Sequence, residues 1–207
     1  MIGAVYDKYV LPKILDVCCS TKPINYQRNK VVPKAKGNVL EIGIGSGLNI
    51  PHYDKSSVNK IIGLDPSEEL NEIAIKKAAK YSVDIDFVIG GAEEIALPSN
   101  SIDTLLITYT LCTIPELKES LKEMKRVIKD DGILLFCEHG IAPDQNIMKW
   151  QNRINPLWSK LFGGCNINRN IPKIIQGSGF KISKLEQMYL PSTPKIVGYN
   201  YWGEASL

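Results

Sequence analysis

The stretch NVLEIGIGSGLNI, residues 38–50, decides the reading of this chain. An apolar run leads into Glu41, and Gly43, Gly45 and Gly47 follow at alternate positions. A short apolar run that breaks into glycines reads as a buried strand entering a tight turn. In an open parallel sheet such a turn lies at the carboxyl end of a strand, where ligands bind at the point of strand-order reversal. The next apolar run, KIIGLD (60–65), ends in Asp65, 24 residues after Glu41. That is close to the ~20-residue separation of an acid that bonds a ribose.

Dinucleotide and S-adenosylmethionine sites share this logic, and three features separate them here. The dinucleotide fingerprint needs a glycine at the sixth position from Gly43, where this chain has Leu48. Glu41 stands two residues before the first glycine; a carboxylate there orders the turn and suits a cationic amino-acid end, whereas it repels a pyrophosphate. GGAEEIALP (90–98) follows the third strand and offers a backbone N–H and a carboxylate to an adenine edge. The turn taken alone is also compatible with a doubly wound domain that holds no cofactor.

Outward from the turn, strand and helix patterns alternate. Strands are predicted over 38–43, 60–65, 83–90, 101–110 and 130–140, and helices over 67–81, with Ser67 as its cap, and 115–129, with Pro115 in its first turn. This alternation predicts an α/β fold, a mostly parallel sheet with helices on both faces. Residues 144–162 read as a further helix, and a loop and short helix follow. The segments 180–190 and 194–203, separated by the turn PSTP (191–194), predict an antiparallel hairpin at one edge, giving seven strands. We expect one domain over 1–207, with a helical lid over 1–30, a cofactor half over 31–140 and an acceptor half over 141–207.

Composition narrows the function. The 207 residues carry a net charge of +3, too small an excess to argue for nucleic acid. Five cysteines (Cys18, Cys19, Cys112, Cys137, Cys165) include no C-x-x-C pair, so neither a disulfide framework nor a metal site is expected, and a reducing, cytoplasmic setting suits them. Charges at Asp7, Lys8, Lys13 and Asp16 interrupt the first twenty residues, which therefore read neither as a signal peptide nor as a membrane span. Ile2, Val5, Tyr6, Tyr9 and Val10 fit one helical face: a helix packed on the body, a lid, or a peripheral membrane contact.

E-x-G-x-G-x-G (41–47), Asp65 and G-A-E-E-x-A-L-P (91–98) resemble, in order and spacing, the class I S-adenosylmethionine-dependent methyltransferases, whose Rossmann-like sheet also ends in a C-terminal hairpin. The resemblance implies that Glu41, Gly43 and Gly45 line the methionine side of the cofactor, that Asp65 holds the ribose, that Ala92 and Glu93 meet the adenine, and that Thr108 lies beneath the donor sulfur. TYTLCTIP (108–115), FCEHG-x-APD (136–144), WQ-x-R-x-x-P-x-W (150–158), GGC-x-x-NR (163–169) and GY-x-Y-x-G (198–203) are similar to the thiol S-methyltransferase branch. Animal members of that branch are membrane-anchored and methylate hydrogen sulfide and small alkyl thiols; this chain departs from them in lacking the apolar N-terminal anchor.

Methyl transfer is an in-line displacement in which the sulfonium supplies the activation and the protein positions and desolvates. A thiol acceptor must react as a thiolate, so a base is useful. His139, at the end of the fifth strand, is the candidate; Glu138 beside it points to the opposite face of a strand. Tyr6, Tyr9, Trp150 and Arg153 are candidates for the acceptor pocket, with Trp158, Tyr199, Tyr201 and Trp202 as further aromatics for its roof, and Asn168 and Arg169 could fix the lid. Cys112 and Cys165 read as small buried residues, Cys18 and Cys19 as packing, and His52 as surface. The rival readings are a lipid, quinone or amine acceptor, and a non-catalytic cofactor-binding protein. A nucleic-acid amino-methyltransferase usually carries [DN]-P-P-[YF] after the fourth strand, where this chain has TYTL.

Overall fold

The computed structural model describes Tyr6 and residues 10–207. Seven strands form one sheet: β1 (Gly37–Ile42), β2 (Val58–Asp65), β3 (Asp86–Ile89), β4 (Ile102–Thr108), β5 (Ile128–His139), β6 (Lys181–Tyr189) and β7 (Tyr199–Ser206). Their order is β3-β2-β1-β4-β5-β7-β6. The pairs among β1 to β5 are parallel, and β7 runs against both of its neighbours. The order reverses between β1 and β4, so the carboxyl ends of these two strands form the crevice in which this architecture binds ligands.

The expected C-terminal hairpin is present, with the last strand folded inward between β5 and β6. The burial of the two strands explains the arrangement. Tyr199 to Gly203 of β7 are all buried, as a strand with neighbours on both sides must be. β6 carries Lys181, Lys184 and Glu186 and is largely exposed; charge on an edge strand blocks further strand addition. β7 also begins later than expected, because Lys195–Gly198 after Pro194 form one helical turn.

The helices are α1 (Leu11–Cys19), α2 (Lys22–Val31), α3 (Glu68–Tyr81), α4 (Leu117–Val127), α5 (Gln145–Leu161), α6 (Ile171–Gly177) and α7 (Lys195–Gly198). Ser67 caps α3 by accepting from the Leu70 N–H, as its sequence position predicts. Pro115 falls before α4, which starts at Leu117, rather than in its first turn.

Alternation along the central strands creates two cores. Leu40, Ile42, Leu105, Ile107, Leu134 and Phe136 face one side and meet Leu121, Met124 and Val127 of α4 and Ile171 and Ile175 of α6. Val39, Leu106, Leu135 and Cys137 face the other and meet Val31 of α2 and Ala74 and Ala78 of α3. Lys30 of α2 lies over the Trp202 ring at 4.2 Å, and Lys34 bonds Glu204 at 2.6 Å, so the start of the chain is fastened to its last strand. No helix of the described residues is long and apolar enough to cross a membrane.

Gly203 marks the tightest approach in the sheet. A methyl group there would lie 1.9 Å from the Lys184 carbonyl oxygen and 3.0 Å from the Phe136 ring, whereas one at Gly177 would meet nothing within 4 Å. Gly203→Ala is expected to lower stability in urea denaturation by about 1–3 kcal/mol through overpacking, while Gly177→Ala is expected to leave it unchanged or raise it. Equal stabilities for the two variants would contradict this account.

Candidate active site

The glycine turn is held from beneath. The N–H groups of Gly43 and Ile44 both donate to the Leu64 carbonyl at the end of β2 (2.7 and 3.2 Å). Gly43 has φ +71°, and a methyl group there would meet the Thr110 side chain at 2.3 Å, so the turn rests directly on the loop after β4. Gly45 has φ +53°, and a methyl group there would stand in ordinary contact with Asp65 Oδ2 at 3.9 Å and with the Gly43 carbonyl and Leu70 at 4.0 Å. The Gly45 N–H donates to Asp65 Oδ2 at 2.9 Å, and Asp65 Oδ1 accepts from the Ser67 N–H at 2.9 Å. One carboxylate thus sets both the turn and the start of α3. Burial pushes its pKa up against these two backbone donors.

Behind the turn lies a buried polar cluster that the sequence shows only in part. Glu41 is 2% exposed and accepts from Asn49 Nδ2 at 2.8 Å and from the Tyr53 hydroxyl at 2.6 Å. Arg28 of α2, also buried, donates to Asn49 Oδ1 (2.7 Å) and to Thr108 Oγ1 (2.6 Å), and its guanidinium lies 5.0 Å from the Tyr109 ring centroid. Thr108 also accepts from Asn49 at 2.9 Å. The Arg28 Nε has no partner among the described residues. Arg28 was missed because an arginine in a polar helix ordinarily reads as a solvated residue. Ala92 is buried beside the strand ends, and Glu93 is exposed, with its carboxylate folded back over Gly91.

A second group gathers at the ends of β4 and β5. The ligating atoms of Cys112, His139 and Cys165 all lie within 4.8 Å of one another. Cys165 Sγ is 3.3 Å from His139 Nε2. The residues come from three distant segments, so the absence of C-x-x-C spacing, on which the expectation of no metal site rested, does not bear on them. The hydrogen bond from Cys165 draws the Cys112 thiol well below its usual pKa against the cost of burial, with His139 assisting, and Cys165 is raised in return. Burial alone would lower His139; the neighbouring Cys112 charge and hydrogen bond outweigh it and raise the imidazole. Tyr109, at φ +55°, stacks over His139 with ring centroids 6.4 Å apart. Glu138 does not pair with His139: its Oε1 accepts from the N–H groups of Thr110 (2.7 Å) and Leu111 (3.0 Å). Gln151, buried in α5, ties Gly140, Ala142, Ile167 and Ile196 together through four hydrogen bonds.

The remaining candidates scatter. The Tyr6 hydroxyl donates to the Leu161 carbonyl at 2.7 Å, and Tyr9 lies outside the described residues. Trp150 is 56% exposed on α5, with the Arg153 guanidinium over its own ring at 5.8 Å. Tyr199, Tyr201 and Trp202 are core residues of β7 rather than a roof. Arg169 donates to the carbonyls of Leu111 and Ile114 and so fixes the Cys112 loop, whereas Asn168 bonds Asn152 at the surface. Cys18, expected to pack, is exposed, and His52 is half-buried. The helix α1 bridges the two groups: Asp16 accepts from the Ser46 hydroxyl of the glycine turn, and Leu11 packs on Gly163 in the loop before Cys165. A cavity of about 580 Å³ lined by Leu48, His52, Lys76 and Lys80 shares no residue with either group.

The strand order and the glycine turn with its acid resemble those of the class I S-adenosylmethionine-dependent methyltransferases, and residues 40–136 match the family described as methyltransferase domain. Thiol S-methyltransferase TMT1A of Homo sapiens is 28% identical over 178 residues, 84% of this chain and 72% of the relative. Ubiquinone/menaquinone biosynthesis C-methyltransferase UbiE of Rickettsia bellii is 25% identical, over 71% of this chain and 58% of the relative. An S-adenosylmethionine-dependent methyltransferase of Leishmania major superposes with a TM-score of 0.70 at 14% identity, covering 99% of this chain and 82% of its own. The residues present fit the cofactor: Gly45, at φ +53°, carries its N–H beside Asp65 at the end of β2, and the Arg28 Nε behind the turn is left without a partner among the described residues.

Glu41 yields a pH test. Burial pushes its carboxyl up to about 7, against the hydrogen bonds of Tyr53 and Asn49 and the charge of Arg28. The folded state therefore keeps a proton that the unfolded chain loses near pH ~4.3. Its contribution to stability is full below that value and is lost as pH rises through about 7. Glu41→Gln keeps the shape without the titration. In denaturation at stepped pH, the stability of the variant relative to wild type is expected to rise across that window, by at most about 1.4 kcal/mol per pH unit. A pH-independent difference would show that Glu41 is charged throughout.

Proposed function

We propose that this enzyme transfers the methyl group of S-adenosylmethionine to the sulfur of a small thiol such as hydrogen sulfide or methanethiol, the latter giving dimethyl sulfide. The observation that carries the reading is the Cys112–His139–Cys165 group. It stands at the ends of β4 and β5, one loop from the glycine turn, and Thr110 Oγ1 of that loop reaches the Gly43 carbonyl at 3.5 Å. A soft, polarisable surround of two sulfurs and an imidazole suits a sulfur nucleophile better than an oxygen or carbon one. The human relative named for thiol methylation supports the same reading.

The bound cofactor supplies an activated methyl group on a sulfonium. The chain supplies the frame around it: Asp65 for the ribose, Ala92 and Glu93 for the adenine, and Gly43 and Gly45 for close backbone approach. Glu41 and Thr108 act from behind, through Asn49 and Arg28. The partnerless Arg28 Nε is a donor for the amino-acid carboxylate. His139, in company with the two sulfurs, favours the thiolate form of the acceptor. The helix α1, spanning the glycine turn and the Gly163 loop, is the lid that keeps water out and the acceptor small. The second reading, a quinone, lipid or amine acceptor, draws on the likeness to the quinone-ring methyltransferase.

Release of S-adenosylhomocysteine, measured with hydrogen sulfide, methanethiol, 2-mercaptoethanol, a quinol, a phospholipid and an amine, separates the readings. Turnover with thiols is expected to exceed the others by at least about tenfold, about 1.4 kcal/mol of discrimination. Turnover with the quinol or lipid and with no thiol would overturn the proposal. The cofactor role of Asp65 has its own measurement. Asp65→Asn keeps an acceptor for the Gly45 N–H, and by calorimetry it is expected to weaken S-adenosylhomocysteine about tenfold, the loss of one charge-assisted hydrogen bond. An unchanged dissociation constant would remove Asp65 from the ribose site.

A further inference from the structure

We propose that Cys112, His139 and Cys165 form a zinc site whose fourth position receives the acceptor thiol. The inference deepens the thiol reading and rests on it only for the identity of the fourth ligand. A set of two thiols and one imidazole is soft and suits zinc over hard cations, and three protein ligands with one open position is the composition of catalytic zinc centres.

The ligand atoms approach the spacing of such a site, and small side-chain shifts would close it. In a tetrahedral site with Zn–S of ~2.3 Å and Zn–N of ~2.0 Å, sulfur and nitrogen ligands stand ~3.5 Å apart. The Cys165 Sγ to His139 Nε2 distance is 3.3 Å, and all three ligand atoms lie within 4.8 Å of one another. The frame that brings them together is made by other groups. The Asn166 N–H and Nδ2 both donate to the Cys112 carbonyl, at 2.9 and 3.1 Å, tying the loop of one sulfur to the loop of the other. Arg169 grips the carbonyls on either side of Cys112, at Leu111 and Ile114, and Glu138, next to His139, holds the N–H groups of Thr110 and Leu111. None of these bonds uses the side chain of Cys112, His139 or Cys165. Glu138 Oε2 is buried with no partner among the described residues. An unpaired buried carboxylate oxygen is costly, and a hydrogen-bond donor arriving with the loaded site would satisfy it.

The reaction balances. An acceptor R–SH takes the fourth position and releases its proton to solvent. Its sulfur attacks the methyl carbon; the new S–CH₃ bond forms as the donor S–CH₃ bond breaks. The products are R–S–CH₃ and S-adenosylhomocysteine. The thioether carries no charge and is a poor zinc ligand, so the position is free for the next thiol.

The test loads the full chain with Zn²⁺ or Co²⁺ under reducing conditions, removes excess ion and measures metal per chain. About one ion per chain is expected, with sulfur-to-cobalt charge-transfer absorption. Cys112→Ser and Cys165→Ser should each lower the content at least about tenfold while circular dichroism stays native, and Cys18→Ser, at an exposed cysteine, should not. Adding 2-mercaptoethanol to the cobalt form should shift its visible bands. Less than about 0.1 ion per chain after loading, or undiminished binding in the double serine variant, would overturn the site. Metal-free protein that methylates methanethiol at the full rate would also overturn it and leave the thiol reading standing. Stoichiometric metal whose cobalt bands ignore thiols, with turnover only on a quinol or lipid, would uphold the metal and overturn the thiol as its fourth ligand.

Discussion

The structure depends on keeping two ionisable side chains, Glu41 and Arg28, out of water in the same small space. Neither can be buried alone at reasonable cost. Asn49 stands between them, donating to the carboxylate and accepting from the guanidinium, while Tyr53 and Thr108 take the remaining directions. This one arrangement joins α2 to the ends of β1 and β4, where the strand order reverses. It fixes the ends of β1 and β4 from behind the glycine turn. The glycine turn can then be thin because its support lies behind it.

The two halves of the site are joined with equal economy. Gly43 rests on Thr110, Thr110 hangs from Glu138, and Glu138 precedes His139 in β5. Two contacts thus join the glycine turn to the strand end that carries His139. Gln151 and Arg169 secure the far side by bonding backbone groups rather than other side chains, which sets loop positions.

The legible parts of this protein were those whose causes lie close together in the chain. The glycine turn, Asp65 and the Ser67 cap follow from local spacing, and the alternation of strands and helices fixed the sheet. The hairpin was legible as a pair, but its inward turn was decided by which strand had to be buried twice, a property of the whole sheet. Arg28 escaped notice because its partners lie 21 and 80 residues away. Cys112 and Cys165 looked like filler for the same reason: their meaning rests on Asn166 and on the end of β5. Trp150 and Arg153 show the reverse case. An aromatic and a cation near a motif suggested a pocket, and the helix turned both outward against each other.

Tyr109 carries a further consequence. A tyrosine at φ +55° costs fold energy that glycine would not. In return the chain reverses in one residue, sending the ring between Arg28 and His139 and the next N–H toward Glu138. A glycine would supply the bend but no ring, and a relaxed tyrosine would supply the ring but no bend. The position thus trades thermodynamic ease for a single fixed shape. The meeting point of β4 and β5 is thereby held in one geometry by a residue that neither glycine nor a relaxed tyrosine could replace.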